Sequence, residues 1–249
     1  MAGEHSAEFR FYEALNDFLP LERRERALDY RFNGHPSIKD PIEAQGVPHT
    51  EVELIVVNGL SVGFDYRLQD GDRVAVYPVF GHFDVSPLVK LREAPSRPAA
   101  FVLDVNLGKL ARRLRLLGFD ALYGNCYTDA EVADIAAAEK RIVLTRDRRL
   151  LHAKRIDHGY WVRSVHADEQ AGEVLRRFDL SGQIQPFCRC LVCNEWLRPV
   201  QKADILDRLE PKTKRYYEVF FMCEACGKIY WAGSHVEDMR LRWRAWLSA

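Results

Sequence analysis

Residues 102–120 read VLDVNLGKLARRLRLLGFD, which is an apolar run ending at an aspartate, then a leucine-rich segment, then a glycine. The leucines of the middle part recur every three or four residues: Leu107, Leu110, Leu114 and Leu117. This spacing predicts a helix over 107–118 with one apolar face. Because strand candidates flank it at 99–105 and 120–124, the stretch is typical of two parallel strands joined by a crossover helix.

The same alternation continues toward the C-terminus. The further candidates are strands at 141–145 and 160–165 and helices at 129–140, 148–156 and 168–180. Alternating strands and helices are the mark of a parallel sheet covered by helices. The sequence therefore predicts an α/β domain over 99–182.

The first third of the chain has a different pattern. Strand candidates lie at 8–12, 27–32, 50–59 and 70–79, and the last two are bounded by Asn-Gly and Asp-Gly turns. A helix is expected between Ser37, as its N-cap, and Gly46, which stops it. Two strands, a helix and further strands indicate a small β-grasp domain over 1–88, before a charged, proline-containing linker.

Composition and charge narrow the class of protein. The chain has 249 residues, 47% of them hydrophobic, so it can fill ordinary globular cores. No apolar stretch approaches the roughly 20 residues of a membrane span, and no signal-peptide pattern opens the chain, so we expect a cytoplasmic protein without a membrane. Residues 1–90 hold 9 Lys and Arg against 15 Asp and Glu, and residues 91–249 hold 27 against 21. The second part can meet a polyanion through basic faces.

Three aspartates lie where predicted parallel strands end. Asp104 is near the carboxyl end of the first, Asp129 opens the helix after the second, and Asp147 ends the third. Because ligands of open parallel sheets bind outside the carboxyl ends of the strands, we expect these acids on one edge. Asn106, two residues beyond Asp104, can join them as a neutral oxygen ligand or contact the substrate.

Such a cluster of carboxylates is unfavourable unless a cation neutralises it, and Mg²⁺ or Mn²⁺ is the natural choice for oxygen ligands. The chemistry that follows is phosphodiester hydrolysis. Each acid also has a structural interpretation. Asp129 can favour a helix N-terminus, although Thr128 and Glu131 form a capping box that leaves its carboxylate free. Asp147, set among arginines, can form a surface ion pair.

Basic residues flank these acids. The predicted substrate contacts are Asn106, Lys109, Arg112, Arg146, Arg148 and Arg149. Arginines in such positions can bind phosphates. The helix 107–117 also carries Arg113 and Arg115 away from its leucines, which makes this face either an ordinary solvated surface or a nucleic-acid track.

The four cysteines that form C-x-x-C pairs are a second metal signal. They are Cys190, Cys193, Cys223 and Cys226, with a 29-residue insert between the pairs. Two such pairs supply the four thiolates of a closed, structural Zn²⁺ site, whereas a disulfide framework is typical of secreted proteins. Cys188 has no assigned role, and Cys126 is expected to be a small buried residue. Residues 186–249 are thus predicted to be a zinc ribbon followed by a basic helix near His235.

Together, VLDVNLGKLARRLRLLGFD, TDAEVADIAAAEKRIVLTRDRRLL, RCLVCN and CEACGKIYWAGSH resemble the PIN-like ribonucleases of the Mut-seven C-terminal family. The N-terminal region is similar to the ubiquitin-like domain that often precedes them. The resemblance implies a PIN-like nuclease joined to a zinc ribbon, with Asp104, Asp129 and Asp147 at the acidic positions. It also implies metal-dependent cleavage of RNA, with transfer or ribosomal RNA as candidates, and a protein partner for the N-terminal domain.

Two other functions remain open. A non-catalytic RNA-binding or ribosome-associated factor can keep the fold and the ribbon without turnover. A phosphatase that uses Asp104 as a nucleophile is a third possibility, but the sequence DVN lacks the second acid that such enzymes use. The leading hypothesis is a metal-dependent ribonuclease whose acidic N-terminal domain recruits a partner or restrains the nuclease.

Overall fold

The computed structural model of the chain describes residues 4–79, 88–95 and 97–231. By its packing the chain divides into two compact units, one made of residues 1–95 and 133–161 and the other of residues 96–132 and 162–249. The division into three domains stays a prediction, and the basic helix expected near His235 lies outside the described residues. Among the described residues, no helix is long and apolar enough to cross a membrane.

The N-terminal region forms a five-stranded mixed sheet. Its strands are β1 (His5–Phe11), β2 (Ala27–Phe32), β3 (Val52–Val57), β4 (Leu60–Val62) and β5 (Arg73–Pro78). Their order is β2-β1-β5-β3-β4, with β1 parallel to β5 and the other pairs antiparallel. Alternate residues of β1 are buried, as expected for a sheet with one covered face. The arrangement is the predicted β-grasp.

Two local features of this sheet test the turn predictions. Asn58 and Gly59 both have positive φ, 51° and 89°, as the tight turn between β3 and β4 requires. The helix α1 (Lys39–Ala44) ends before Gly46, as predicted, but Ser37 is not its N-cap. The Ser37 hydroxyl instead donates to the carbonyl of Phe64 at 2.6 Å, because Ser37 forms a bridge with a neighbouring segment.

Parallel strands and helices alternate from residue 100 onward, which confirms the α/β class. The elements are β6 (Ala100–Leu103), α2 (Gly108–Leu116), β7 (Asp120–Tyr123), α3 (Asp129–Glu139), β8 (Ile142–Thr145), β9 (Gly159–Trp161) and α4 (Ala167–Arg177). In one unit β6 pairs with β7, and in the other β8 pairs with β9, both in parallel. The helix predicted over 148–156 is wrong: only Leu150–His152 form one 3₁₀ turn.

The end of α2 is held against the linker that leads to the cysteine region. Gly118 has φ +97°, and a Cβ there would lie 2.1 Å from the carbonyl oxygen of Gln185. The amides of Gln185 and Phe187 donate to the carbonyls of Leu117 and Leu116 at 2.9 and 3.3 Å. A glycine is needed here because the two backbone segments touch.

The cysteine region is a three-stranded antiparallel ribbon. It contains β10 (Leu197–Val200), α5 (Pro211–Tyr216), β11 (Phe220–Cys223) and β12 (Ile229–Trp231). β11 lies between β10 and β12. Ile205, Leu209 and Phe220 form a small buried cluster with Tyr217 packed against it, whereas Trp196 and Tyr216 of the insert are exposed.

Candidate active site and metal centre

Asp104 is the most buried of the three predicted catalytic acids. It directly follows β6 and is 5% exposed. One of its carboxylate oxygens accepts a hydrogen bond from the amide of Val105 at 2.6 Å, so Asp104 caps the 3₁₀ turn that leads into α2. The parallel register places Leu103 beside Tyr123, the last residue of β7, so both strands end together.

The loop after Asp104 is held by the end of β7. The Tyr123 hydroxyl donates to the carbonyl of Val105 at 2.9 Å. Gly108 permits this, because a Cβ there would lie 2.8 Å from the Tyr123 ring. The chain then continues from β7 to Asp129, so the segments that carry Asp104 and Asp129 leave the same edge of the strand pair.

Asp129 is exposed at the first position of α3. The predicted capping box is confirmed. The Thr128 amide donates to the Glu131 carboxylate at 2.7 Å, and the Glu131 amide donates to the Thr128 hydroxyl at 3.3 Å. These hydrogen bonds also lower the pKa of Glu131. The cap therefore does not use the carboxylate of Asp129.

Asp147 belongs to the other unit and lies two residues after β8. Its amide donates to the Thr145 hydroxyl at 2.8 Å, and its carboxylate accepts from the Arg149 amide at 2.8 Å. Two hydrogen bonds thus fix a tight turn that presents the side chain to solvent. In the described part of the chain no ion pair holds Asp147, so the surface ion-pair interpretation gains no support.

The arginines beside Asp147 have different surroundings. All three are exposed, but the guanidinium of Arg148 lies 3.8 Å from the centroid of the Trp161 ring and 5.5 Å from that of Phe18. Stacking on these rings fixes its plane. Phosphate binding by Arg146, Arg148 and Arg149 stays a prediction.

The four predicted zinc ligands converge. Their sulfur atoms all lie within 4.8 Å of one another, with Cys190 and Cys226 3.6 Å apart and Cys193 and Cys223 3.4 Å apart. A tetrahedral Zn²⁺ site with bonds of about 2.3 Å places its sulfurs about 3.8 Å apart. Among the described residues, this is the one group of three or more His, Cys, Asp or Glu side chains whose ligand atoms lie this close together.

The two C-x-x-C loops have the same backbone form. Asn194 and Gly227 each lie one residue after their pair and have φ of 70° and 69°. In each loop the amide of that residue donates to the carbonyl of the first cysteine, at 3.0 Å for Cys190 and 2.8 Å for Cys223. Two matching turns thus aim four sulfurs at one point.

Burial and hydrogen bonding give two of these thiols different pKa values. Burial raises the pKa of Cys190, but hydrogen bonds from the Tyr230 hydroxyl, at 3.1 Å, and from backbone amides lower it to about 6. Burial and the neighbouring sulfurs raise the pKa of Cys193 to about 12. Four crowded sulfurs cannot all ionise without a cation, which is the chemistry of a thiolate metal site.

Comparison with known families shows which family the chain belongs to. A family model described as the Mut7-C RNAse domain matches residues 99–243, well over half of the chain. The chain belongs to this family. A second model, described as Mut7-C ubiquitin, matches residues 4–84, and the order of the two confirms the predicted resemblance. No curated protein matches the chain. The family match indicates a nuclease-like function and includes the three acids and the four cysteines.

Within the Mut7-C RNAse domain, buried polar residues that the sequence patterns did not single out fasten the ribbon to β7. Arg115, expected on the solvated face of its helix, is 3% exposed. Its guanidinium donates to the carbonyls of Ala121 at 2.9 Å and Val192 at 2.8 Å, and to that of Leu191 at 3.3 Å. Burial lowers its pKa. The leucines on both sides of Arg115 in the sequence were the signal from which its burial could have been predicted.

Asn194 completes this attachment of the Mut7-C ribbon. Its side chain accepts from the Ala121 amide at 3.0 Å and donates to Asp120 at 2.7 Å. Asp120 also lies 3.5 Å from the guanidinium of Arg189. Both of these partners of Asp120 are distant in the sequence, 69 positions away for Arg189 and 74 for Asn194, so no local pattern indicates them.

The two remaining cysteines of the Mut7-C RNAse domain are outside the metal centre. Cys188 is partly buried, its thiol donates to the carbonyl of Gln185 at 3.0 Å, and burial raises its pKa. Cys126 is exposed, so its expected burial was wrong. It lies in the loop between β7 and α3 rather than in either element.

Proposed function

We propose that the protein is a metal-dependent ribonuclease in which Asp104, Asp129 and Asp147 hold Mg²⁺ or Mn²⁺. The observation that carries the proposal is the position of Asp104. In a member of the Mut7-C RNAse domain family, this nearly buried carboxylate stands at the carboxyl end of a parallel strand, where open sheets bind ligands. A cation bound there would neutralise this charge, which little solvent surrounds.

The donor set fits a hard cation. All three side chains offer carboxylate oxygens, the ligands that Mg²⁺ and Mn²⁺ prefer. Asp129 is spared from capping its helix, and Asp147 uses one oxygen to shape its own turn. When bound, the metal supplies Lewis-acid stabilisation of a phosphodiester and activates water.

The basic residues would bind the RNA backbone. Lys109 and Arg112 are exposed on α2, which begins four residues after Asp104, and Arg149 is exposed beside Asp147. Cations in these places neutralise phosphates and orient the chain for hydrolysis. Asn106, exposed two residues after Asp104, would contact the substrate from the loop before α2.

The N-terminal domain would support the Asp147 loop, in addition to offering a surface for a protein partner. Within its unit it contacts the segment that follows Asp147. The His49 ring donates to the carbonyl of Ile156 at 2.9 Å, and the Trp161 amide donates to the Glu51 carboxylate at 2.7 Å. The ring of Phe18 packs against Trp161, on which Arg148 stacks. Ordering this segment limits the positions that Asp147 can adopt.

The ribbon would hold one structural Zn²⁺ at Cys190, Cys193, Cys223 and Cys226. Four thiolates close the coordination shell, so this zinc would take no part in hydrolysis. The burial of Cys190 and Cys223 and the matching turns support a structural role.

The proposal is tested by cleavage of mixed cellular RNA with the zinc-loaded full chain, with and without added Mn²⁺. A chelator is avoided because it would also remove zinc. We expect Mn²⁺-dependent cleavage that falls at least about 100-fold in Asp104→Asn and Asp147→Asn. The matched control is Asp134→Asn, because this exposed acid pairs only with Arg155 in the described structure.

Each outcome separates the alternatives. Cleavage that persists unchanged in Asp147→Asn would refute the assignment of the site. Absence of cleavage by the unsubstituted protein, together with salt-sensitive RNA binding, would favour the non-catalytic RNA-binding factor. Hydrolysis of a small phosphomonoester that Asp104→Asn alone abolishes would favour the phosphatase.

A further inference from the structure

A groove with a cavity volume of about 460 Å³ lies between α2 and the cysteine ribbon, inside one compact unit. Its size is within the range of about 300–1,000 Å³ that is common for ligand clefts. The charged residues that line it are all cations: Lys109, Arg112, Arg113 and Arg189. No acidic side chain among the described residues lines it, so the groove favours an anion.

The four cations divide into two kinds. Arg113 is held by Asp168 at 2.6 Å, and Arg189 stacks on Trp196 at 4.1 Å. Lys109 and Arg112 are exposed, and within the described part of the chain neither has a hydrogen bond or ion pair. They lie three residues apart on α2, so they are neighbours along one side of the helix. Fixed cations thus define the groove, and two unpaired ones are available to a ligand.

The ribbon contributes the opposite, aromatic wall. Tyr230 and Trp231, the last residues of β12, line the groove. Tyr230 is fixed because its hydroxyl contacts the sulfur of Cys190 and accepts a hydrogen bond from the Leu191 amide, both at 3.1 Å. A rigid ring beside cations is the combination that binds unpaired bases, since a base can stack on the ring while its phosphate meets the cation.

We infer that this groove binds a single-stranded segment of RNA, with phosphates on Lys109 and Arg112 and a base against Tyr230 and Trp231. The choice of RNA as the polymer rests on the proposed function. Bases in a duplex are stacked on each other and cannot enter such a groove. The carboxylates of an acidic peptide would meet the cations but would not stack on the rings. Because α2 begins just after Asp104, a strand in the groove would lead toward Asp104.

The test measures binding, so that it does not depend on turnover. A labelled single-stranded RNA of about 10 nucleotides is titrated, by fluorescence anisotropy, with the zinc-loaded full chain carrying Asp147→Asn and no added Mn²⁺. The double variant Lys109→Gln/Arg112→Gln is expected to raise Kd at least about tenfold and to reduce the salt slope by about 1.4. Trp231→Ala is expected to raise Kd about 5- to 100-fold, with recovery in Trp231→Phe.

The matched control is Arg198→Gln. Arg198 is an exposed cation of the same ribbon, but it follows Leu197, which lines the groove, so its side chain leaves β10 on the opposite face. Zinc content is measured for every variant to show that the ribbon is intact.

The inference is overturned if Arg198→Gln weakens binding as much as the groove variants do. It is also overturned if duplex RNA or polyglutamate displaces the labelled strand as well as unlabelled single-stranded RNA does. Its failure differs from failure of the proposed function: a protein that does not cleave RNA but loses binding in the groove variants leaves this inference standing. If all groove variants keep normal Mn²⁺-dependent cleavage and unchanged RNA binding, this inference is refuted and the proposed function is not.

Discussion

Replacement of Arg115 by methionine should weaken the attachment of the ribbon to β7. The guanidinium makes two short hydrogen bonds, to the carbonyls of Ala121 and Val192, and one longer bond to that of Leu191. A hydrogen bond from a charged donor contributes at least about 1.5 kcal/mol, so the two short bonds give about 3 kcal/mol. The longer bond adds nothing to this figure, because its contribution is set against the free energy that burying the guanidinium costs.

The loss is measured in two ways on the full chain. Urea unfolding, followed by zinc release to a colorimetric chelator, should show a midpoint shift that corresponds to about 3 kcal/mol in Arg115→Met. Zinc release in the absence of urea should also be faster, because Val192 and Leu191 are the two residues between Cys190 and Cys193. Arg115→Lys should lose about half as much, since one ammonium cannot reach both short-bond acceptors.

Arg112→Met is the control for this experiment. Arg112 lies on the same helix but is exposed, so its replacement should change stability by less than about 0.5 kcal/mol. If Arg115→Met has the same unfolding midpoint and the same zinc release rate as the unsubstituted protein, the buried arginine does not fasten the ribbon and the reasoning is refuted.

Three further substitutions test other parts of the structure. Gly118→Ala should lower the free energy of unfolding by more than about 1 kcal/mol, because φ is positive at Gly118 and there is no room for a Cβ. Gly182→Ala, at a glycine with open space around it, should change the free energy of unfolding by less than about 0.5 kcal/mol. Equal urea midpoints for the two variants would contradict this. Cys193→Ala should abolish zinc binding measured by metal analysis, whereas Cys188→Ala should keep it; zinc retained by the first variant would contradict the four-thiolate site. Burial lowers the pKa of His152 below 6.5, so its stabilising contribution is complete above pH 6.5 and is lost as the pH falls through the lowered value. In His152→Gln the free energy of unfolding should therefore fall less between pH 7.5 and pH 5 than in the unsubstituted protein. An identical fall in both proteins would count against this assignment.

Local patterns were sufficient where neighbouring residues determine the conformation. The leucine spacing of α2, the Thr128–Glu131 capping box and the positive φ of Asn58 and Gly59 all depend on residues within a few positions of one another. The cysteine pairs are local signals as well, since both C-x-x-C loops form the same backbone turn and their sulfurs converge. These predictions were confirmed.

Predictions failed where a distant segment supplied the partner. Ser37 was lost as a helix cap because its hydroxyl reaches the carbonyl of Phe64, and the helix expected over 148–156 shrank to the single turn Leu150–His152. Helical propensity in that segment is a weak preference, which tertiary contacts override. In the structure Thr50 instead donates to the carbonyl of Leu151, which a continuous helix would use for its own hydrogen bond. His49 donates to the carbonyl of Ile156, the last residue of the predicted helix.

The sequence by itself determined the α/β class, the family, the cluster of four cysteines and the positions of the three candidate acids along the chain. Tertiary structure alone decided which charges are buried. Arg115 was expected on a solvated helix face, but the carbonyls of Leu191 and Val192, about 75 residues away, join that of Ala121 in accepting hydrogen bonds from its buried guanidinium. A charged side chain can be buried only when hydrogen-bond partners surround it, and such partners come together only when the chain folds.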